Sequence, residues 1–138
     1  MLLQEIVEYI RTQSTGFVRG TNLFRGFWHD VPDTATLVRE YGGRPPQHTF
    51  GSTTPEWEAP RIQVLCRSKS YDTARDNAET IYRLLDNVSN QTLTPSTSAT
   101  GTRYLKIDAQ QSPFSLGRDD NDRAIIGCNY EVWKELST

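Results

Sequence analysis

The sequence lacks any apolar run approaching the roughly 20 consecutive residues that a membrane-spanning helix needs. Its start has no basic segment followed by an apolar one, so a signal peptide is not expected. Cysteine is scarce: Cys66 and Cys128 stand 62 positions apart, each inside a strand-like run. That is neither a disulfide framework nor the short spacing of a structural zinc site, and it points to a reducing compartment. Hydrophobic residues make up only 36% of the chain, which argues against a deep cavity. A charge excess of one sign is also missing. With 15 basic and 17 acidic residues, the net charge of -2 gives no global pull toward nucleic acid or an anionic membrane. The length suits one domain, 1–138, with a modest core. The expectation is a protein with no membrane segment, kept in the cytosol or assembled there into something larger.

What is present is organised around Arg61–Val88. Ile62, Val64 and Cys66 alternate with Arg61, Gln63 and Arg67, a period of two that assigns the two sets to opposite faces of a strand. Ala74, Ala78, Ile81, Leu85 and Val88 then recur at spacings of three and four, the apolar stripe of a helix. Asp72 is placed to cap its first turn, and the small residues Ala74 and Ala78 let that end approach a sheet closely.

The rest reads as partners for this unit. Residues 1–13 form a first helix with Leu3, Ile6, Val7 and Ile10 on its stripe and Glu5 and Glu8 off it, ended by Gly16. Thr21–Trp28, rich in aromatic and apolar residues, is a strand or extended segment, Pro32 and Asp33 mark a turn, and Thr34–Tyr41 is a strand stopped by Gly42 and Gly43. Residues 44–60, with five glycines and prolines at 45, 46, 51, 55 and 60, read as a long loop carrying Phe50 and Trp57. Seven of the twelve residues in Gln91–Thr102 are Ser or Thr, which suggests a polar linker. Arg103–Gln110 is a strand with Leu105, Ile107 and Ala109 on one face. Residues 112–122 form another loop, and Arg123–Leu136 is a last strand with Ala124, Ile126, Cys128, Tyr130 and Val132 on one face. Strand pairs without an intervening helix predict an α+β fold: a mixed, mainly antiparallel sheet with two helices packed on one face.

No constellation carries chemistry. His29 and Asp30 are adjacent and so diverge on any regular element, and no third group orients them. Cys66 sits mid-strand on an apolar face, the place of a small inert core residue. Cys66, Cys128, His29 and His48 lack the spacing of a zinc site. Asp119, Asp120, Asn121 and Asp122 resemble a calcium loop. Counting from Asp120, however, the sixth position is Ile125 where a Gly is required, so a turn is the better reading. Arg44, Arg103, Arg118 and Arg123 show no interleaving with aromatics of the kind that binds nucleic acid. The glycines never reach the spacing of a phosphate-cradling loop. No catalytic, cofactor or metal residue is expected.

Two stretches carry a resemblance. One is Pro32-Asp33 followed by Leu37-Val38-Arg39-Glu40-Tyr41-Gly42-Gly43-Arg44-Pro45-Pro46. The other is Ser112-Pro113-Phe114, then Leu116-Gly117-Arg118-Asp119-Asp120-Asn121-Asp122-Arg123, with Asn129 shortly after. Set around the central strand and helix, they resemble the minor capsid or tail terminator proteins of long-tailed bacteriophages. The resemblance runs over nearly the whole chain, although the 91–102 segment matches no motif of it. It implies a non-enzymatic virion protein at the head–tail junction, assembled in the host cytoplasm. It further implies a homo-oligomer, a hexameric ring, that caps the tail tube protein and joins it to the head-completion (stopper) protein while genome DNA passes through the bore. A near-neutral subunit suits DNA passage without sequence-specific binding.

The competing reading is a small protein–protein interaction module without catalytic activity; a small enzyme or nucleic-acid binder comes third. The interface candidates are Arg44, Phe50 and Trp57 from the first long loop, and Arg118, Asp119, Asp120 and Asp122 from the second. Trp is an enriched interface anchor, and prolines stiffen its loop and lower the entropy lost on docking.

Overall fold

A computed structural model describes residues 2–47, 57–96 and 100–135, with the backbone alone for 43–47. The chain runs through α1 (Leu2–Gln13), β1 (Leu23–Arg25), β2 (Ala35–Gln47), β3 (Trp57–Ser68), α2 (Tyr71–Leu85), β4 (Ser89–Leu93), β5 (Thr102–Ala109), β6 (Phe114–Arg118) and β7 (Ala124–Glu135). The seven strands form one sheet in the order β1-β2-β3-β7-β5-β4, and β6 pairs with β7 beside β5. Only β1 and β2 run parallel; the other pairs are antiparallel. The fold is α+β with a mixed, mostly antiparallel sheet.

The register separates two faces. Thr36, Cys66 and Ile126 are neighbours across β2, β3 and β7, as are Val38, Val64 and Cys128; Ile62 lies beside Tyr130. These side chains point one way; Thr36 is buried, and the others belong to a cluster that also holds Ile6, Val7 and Ile10 of α1 and Ala74, Ala78, Ile81 and Leu85 of α2. The alternate residues point the other way: Leu37, Leu65 and Gly127 in one row, Arg39, Gln63 and Asn129 in the next, and Arg61, Glu131 and Asp108 beyond. We call these the inner and outer faces. The outer face is close-packed at Gly127, where a Cβ would meet Leu116 at 3.0 Å and Leu65 at 3.1 Å.

Several expectations are corrected. Ser70, not Asp72, caps α2: its side chain accepts from the Thr73 amide at 3.3 Å. Val88 is buried as predicted but lies beyond the end of the helix. Glu5 and Glu8 are buried rather than turned away. Tyr104 donates its hydroxyl to Glu5 at 3.0 Å, and Glu8 accepts from Arg11 at 2.5 and 3.0 Å, so neither carboxylate meets the interior unbonded. Burial, followed by the Glu5 charge, pushes the Tyr104 hydroxyl far above the usual phenol range.

The loops are shorter than the sequence suggests. Gly42 and Gly43 do not stop β2. The strand passes them through a register shift between Glu40 and Gly43, with Gly42 at φ 82° where a side chain would be strained. Pro45 and Pro46 fall in a second shift between Arg44 and Gln47, where no ladder donor is required. Residues 44–47 and 57–60 are therefore strand. The Thr-rich 91–102 segment contributes to β4 and the start of β5, and 114–118 is strand β6. In contrast, Thr21–Trp28 yields only the three-residue β1. A register shift in β5 between Tyr104 and Lys106 brings Tyr104, rather than Leu105, to the inner face with Ile107.

Candidate assembly surface

The outer face is dressed differently at its two ends. At the end where β3 finishes and β7 begins, Arg67 and Arg123 are both buried. Arg67 lies, as expected, on the face opposite Ile62, Val64 and Cys66, but it is not left to solvent. Instead the connection 26–34 folds over it, because the guanidinium finds several acceptors there. It donates to the carbonyls of His29 and Pro32, the latter at 2.9 Å, and lies 4.3 Å over the Trp28 ring. Arg123, whose side chain is 4% exposed, donates to the carbonyl and, at 2.7 Å, to the carboxylate of Asp30. Its Nε donates to Asp119 at 2.8 Å, and Asp33 lies 3.7 Å from its Nη1. Burial opposes the Arg123 charge, but the bonds to Asp119 and Asp30 outweigh it and raise its pKa. Burial, then the neighbouring Arg123, lowers that of Arg67.

Asp119 is the hub of the β6–β7 turn. Its carboxylate accepts from the amides of Asn121 at 3.0 Å and Arg123 at 2.9 Å. The backbone bond from Arg123 is the main reason its pKa is lowered. Arg118 pairs within the same turn, donating to the Asp122 carbonyl at 2.9 Å. Asn121 reaches across to Asp30 at 2.9 Å and ties the turn to connection 26–34. Asp120 is exposed on the turn.

At the other end, Trp57 opens β3 and its ring lies 4.7 Å from that of Trp133 on β7. With Leu105 and Lys106 they line an open groove of about 300 Å³. Trp57 thus packs against its own chain and leaves part of its ring free. Of the other candidates, Arg44 is seen as backbone only, and Phe50 lies outside the described residues. Of the predicted surface residues whose side chains are described, Trp57 stands at one end of the outer face and Arg118, Asp119, Asp120 and Asp122 at the other. Sequence reading missed Phe27, Val31, Arg67 and Arg123. The signal available was the Phe27-Trp28 pair beside the Pro32 turn, which was read as part of a strand or extended segment.

The residues considered for chemistry go to separate tasks. The His29 ring packs edge-to-face with those of Phe24 and Phe27, with centroids at 5.8 and 5.6 Å, while the Asp30 carboxylate serves Arg123. Cys66 and Cys128 are free thiols, both buried. Burial pushes the Cys66 thiol up to about 12, so it stays protonated and unreactive. Among the described residues, no group of three or more His, Cys, Asp or Glu could hold a metal ion, and no helix is long and apolar enough to cross a membrane.

The family model for the bacteriophage tail terminator protein matches residues 9–135. The chain belongs to that family. This tail terminator is therefore a structural protein of a phage tail. Its fold is similar to that of a chain from the virion of a native gene transfer agent particle, with a TM-score of 0.65 at 13% identity over 98% of this chain and 95% of that one. No curated protein matches the terminator chain.

Proposed function

We propose that this terminator is the subunit of a homo-hexameric ring that caps the tail tube and joins it to the head-completion protein. The observation that carries the reading is the family match over residues 9–135, from α1 to the last residue of β7. In this reading 1–138 is one non-catalytic domain whose two helices cover the inner face of the sheet. The outer face is left for neighbours. The near-neutral charge lets genome DNA pass the bore without sequence-specific binding. The protein would be assembled in the host cytoplasm and reside at the head–tail junction.

The interface candidates divide accordingly. Trp57 would serve the contact at one end of the outer face, with Arg44 and Phe50 kept as candidates from the same part of the chain, and Arg118, Asp119, Asp120 and Asp122 the contact at the other. Within the second set, Asp119 holds the turn, so its own contribution is to shape. Negative-stain imaging of the protein mixed with tail tubes tests the reading. Rings seated on tube ends are expected; tubes left uncapped at saturating protein would overturn it. Light scattering on the same sample separates a ring from the monomer or dimer of a general interaction module. Arg118→Glu, checked first for an unchanged melting temperature, should cap tubes poorly. Normal capping and head attachment would remove the turn from the interface.

A further inference from the structure

Phe27 and Val31 are the most exposed large apolar side chains among the described residues, at 70% and 72%. They stand four residues apart in connection 26–34, which Arg67, Arg123 and Asn121 hold in place. An apolar side chain on a connection already fixed loses little conformational freedom when it docks. The groove of Trp57, Leu105, Lys106 and Trp133 lies on the same sheet face, at the far end of β7. Strand rise puts the two features roughly 30 Å apart along the face. One copy cannot join its own knob to its own groove over that distance, but two copies can.

We propose that Phe27 of one copy seats in the Trp57–Leu105–Trp133 groove of a second copy. This rests on the ring reading, and it names the contact between neighbours. Aromatic anchors in aromatic-walled grooves are typical of interface hot spots. Charge fits as well. Lys106 lines the groove, 5.8 Å from the Trp133 ring centroid. On the turn adjoining Val31 the Asp120 carboxylate stands exposed, beside Asp30 and Asp122, which Arg123 and Arg118 already hold. The present partner of Lys106 is Asp108 at 2.9 Å, with both side chains about half exposed. Such a pair is worth about 0–1 kcal/mol and exchanges readily for an incoming carboxylate. Knob and groove are different patches, so the contact is heterologous and each copy uses both, which is the arrangement that closes rings.

A benzophenone photo-crosslinking side chain installed at Phe27 tests this. The full chain so altered is mixed with isotope-labelled wild type and irradiated, alone and on tail tubes. The expected product joins position 27 to the segment around Leu105 or Trp133 of the labelled copy. Phe27→Ala should weaken self-association about tenfold, the scale of one hot-spot aromatic, at an unchanged melting temperature. Leu105→Trp, which fills the groove, should do the same with Phe27 in place. A crosslink within the same chain, to the tail tube protein, or elsewhere on the second copy would overturn the contact while leaving ring capping intact. So would unaltered self-association of Phe27→Ala. Crosslinks confined to a dimer that never caps a tube would uphold the contact and overturn the ring. A wild-type chain that never self-associates would overturn both.

Discussion

The two faces of the sheet are held together by different physics. The inner face is an apolar layer: Ile62, Val64, Cys66, Ile126, Cys128 and Tyr130 meet Ile6, Ile10, Ile81 and Leu85 of the helices. Its stability comes from burial, which is non-directional and insensitive to pH. Beside the short buried row of Leu37 and Leu65, the clamped end of the outer face has two buried arginines. These hold a connection and a turn by directed, charge-assisted bonds to His29, Asp30, Pro32 and Asp119. The lesson is that one sheet can be locked on one side for folding and shaped on the other for contact. Burial alone gives a stable layer. Only directed bonds fix where an exposed Phe27 points.

The largest effect should come from the inner face. Leu85→Ala, in the buried stripe of α2, is expected to cost about 2–5 kcal/mol. The control is the exposed Arg83→Ala; equal melting shifts for the two would mean that α2 contributes little to the core. Next is the clamp. Arg123→Met keeps much of the apolar stem and removes the charged bonds, at an expected cost of about 1–3 kcal/mol. It should also raise hydrogen exchange in 26–34 while leaving α2 protected. Uniform loosening of both regions would erase the distinction between the faces.

Acid separates the faces further. The Asp119 pKa is held down chiefly by the Arg123 amide, so its folded value lies below its unfolded one. Its stabilisation is complete above the ordinary carboxylate range, about pH 4, and is lost as pH falls through the lower folded value. Asp119→Asn should therefore flatten the fall in stability below that range, whereas Leu85→Ala should lower stability about equally at every pH. Identical acid profiles for Asp119→Asn and wild type would assign the acid sensitivity elsewhere. The smallest effect belongs to the open end. Trp57→Ala loses a ring pair worth about 1 kcal/mol, with a matching change in Trp133 fluorescence. A much larger melting shift would make Trp57 a core residue rather than a groove wall.

The inner face was legible in the sequence because it follows two short periods. Alternation in Arg61–Arg67 and Arg123–Leu136 and the stripe of α2 located most of the core, including both cysteines. The outer face was not. Arg67 obeys the alternation as a polar residue should, and nothing local says that a connection 35 residues earlier in sequence covers it. Glu5 fails in the same way, since its partner Tyr104 is 99 residues away. Proline and glycine misled at 42–47 because register shifts absorb residues that an unbroken ladder would reject. Ser and Thr misled at 91–102, where threonine serves the strand as well as the loop. The candidate surface was legible in part: Trp57 and the 118–122 turn were found from composition, whereas Phe27 and Val31 needed the clamp to be seen.

One feature of the sheet bears on how the protein is made. β7 sits between β3 on one side and β5 and β6 on the other, yet it follows all of them in the chain. During synthesis the hairpin of β2 and β3 and that of β4 and β5 can form early, but they cannot join until residues 124–135 have left the ribosome. Closure is long-range and late, which slows folding. A translation product halted before Ala124 would expose an unpaired edge on both β3 and β5, and such edges invite aggregation. Incomplete subunits would be removed by that route before they could enter an assembling tail and spoil it.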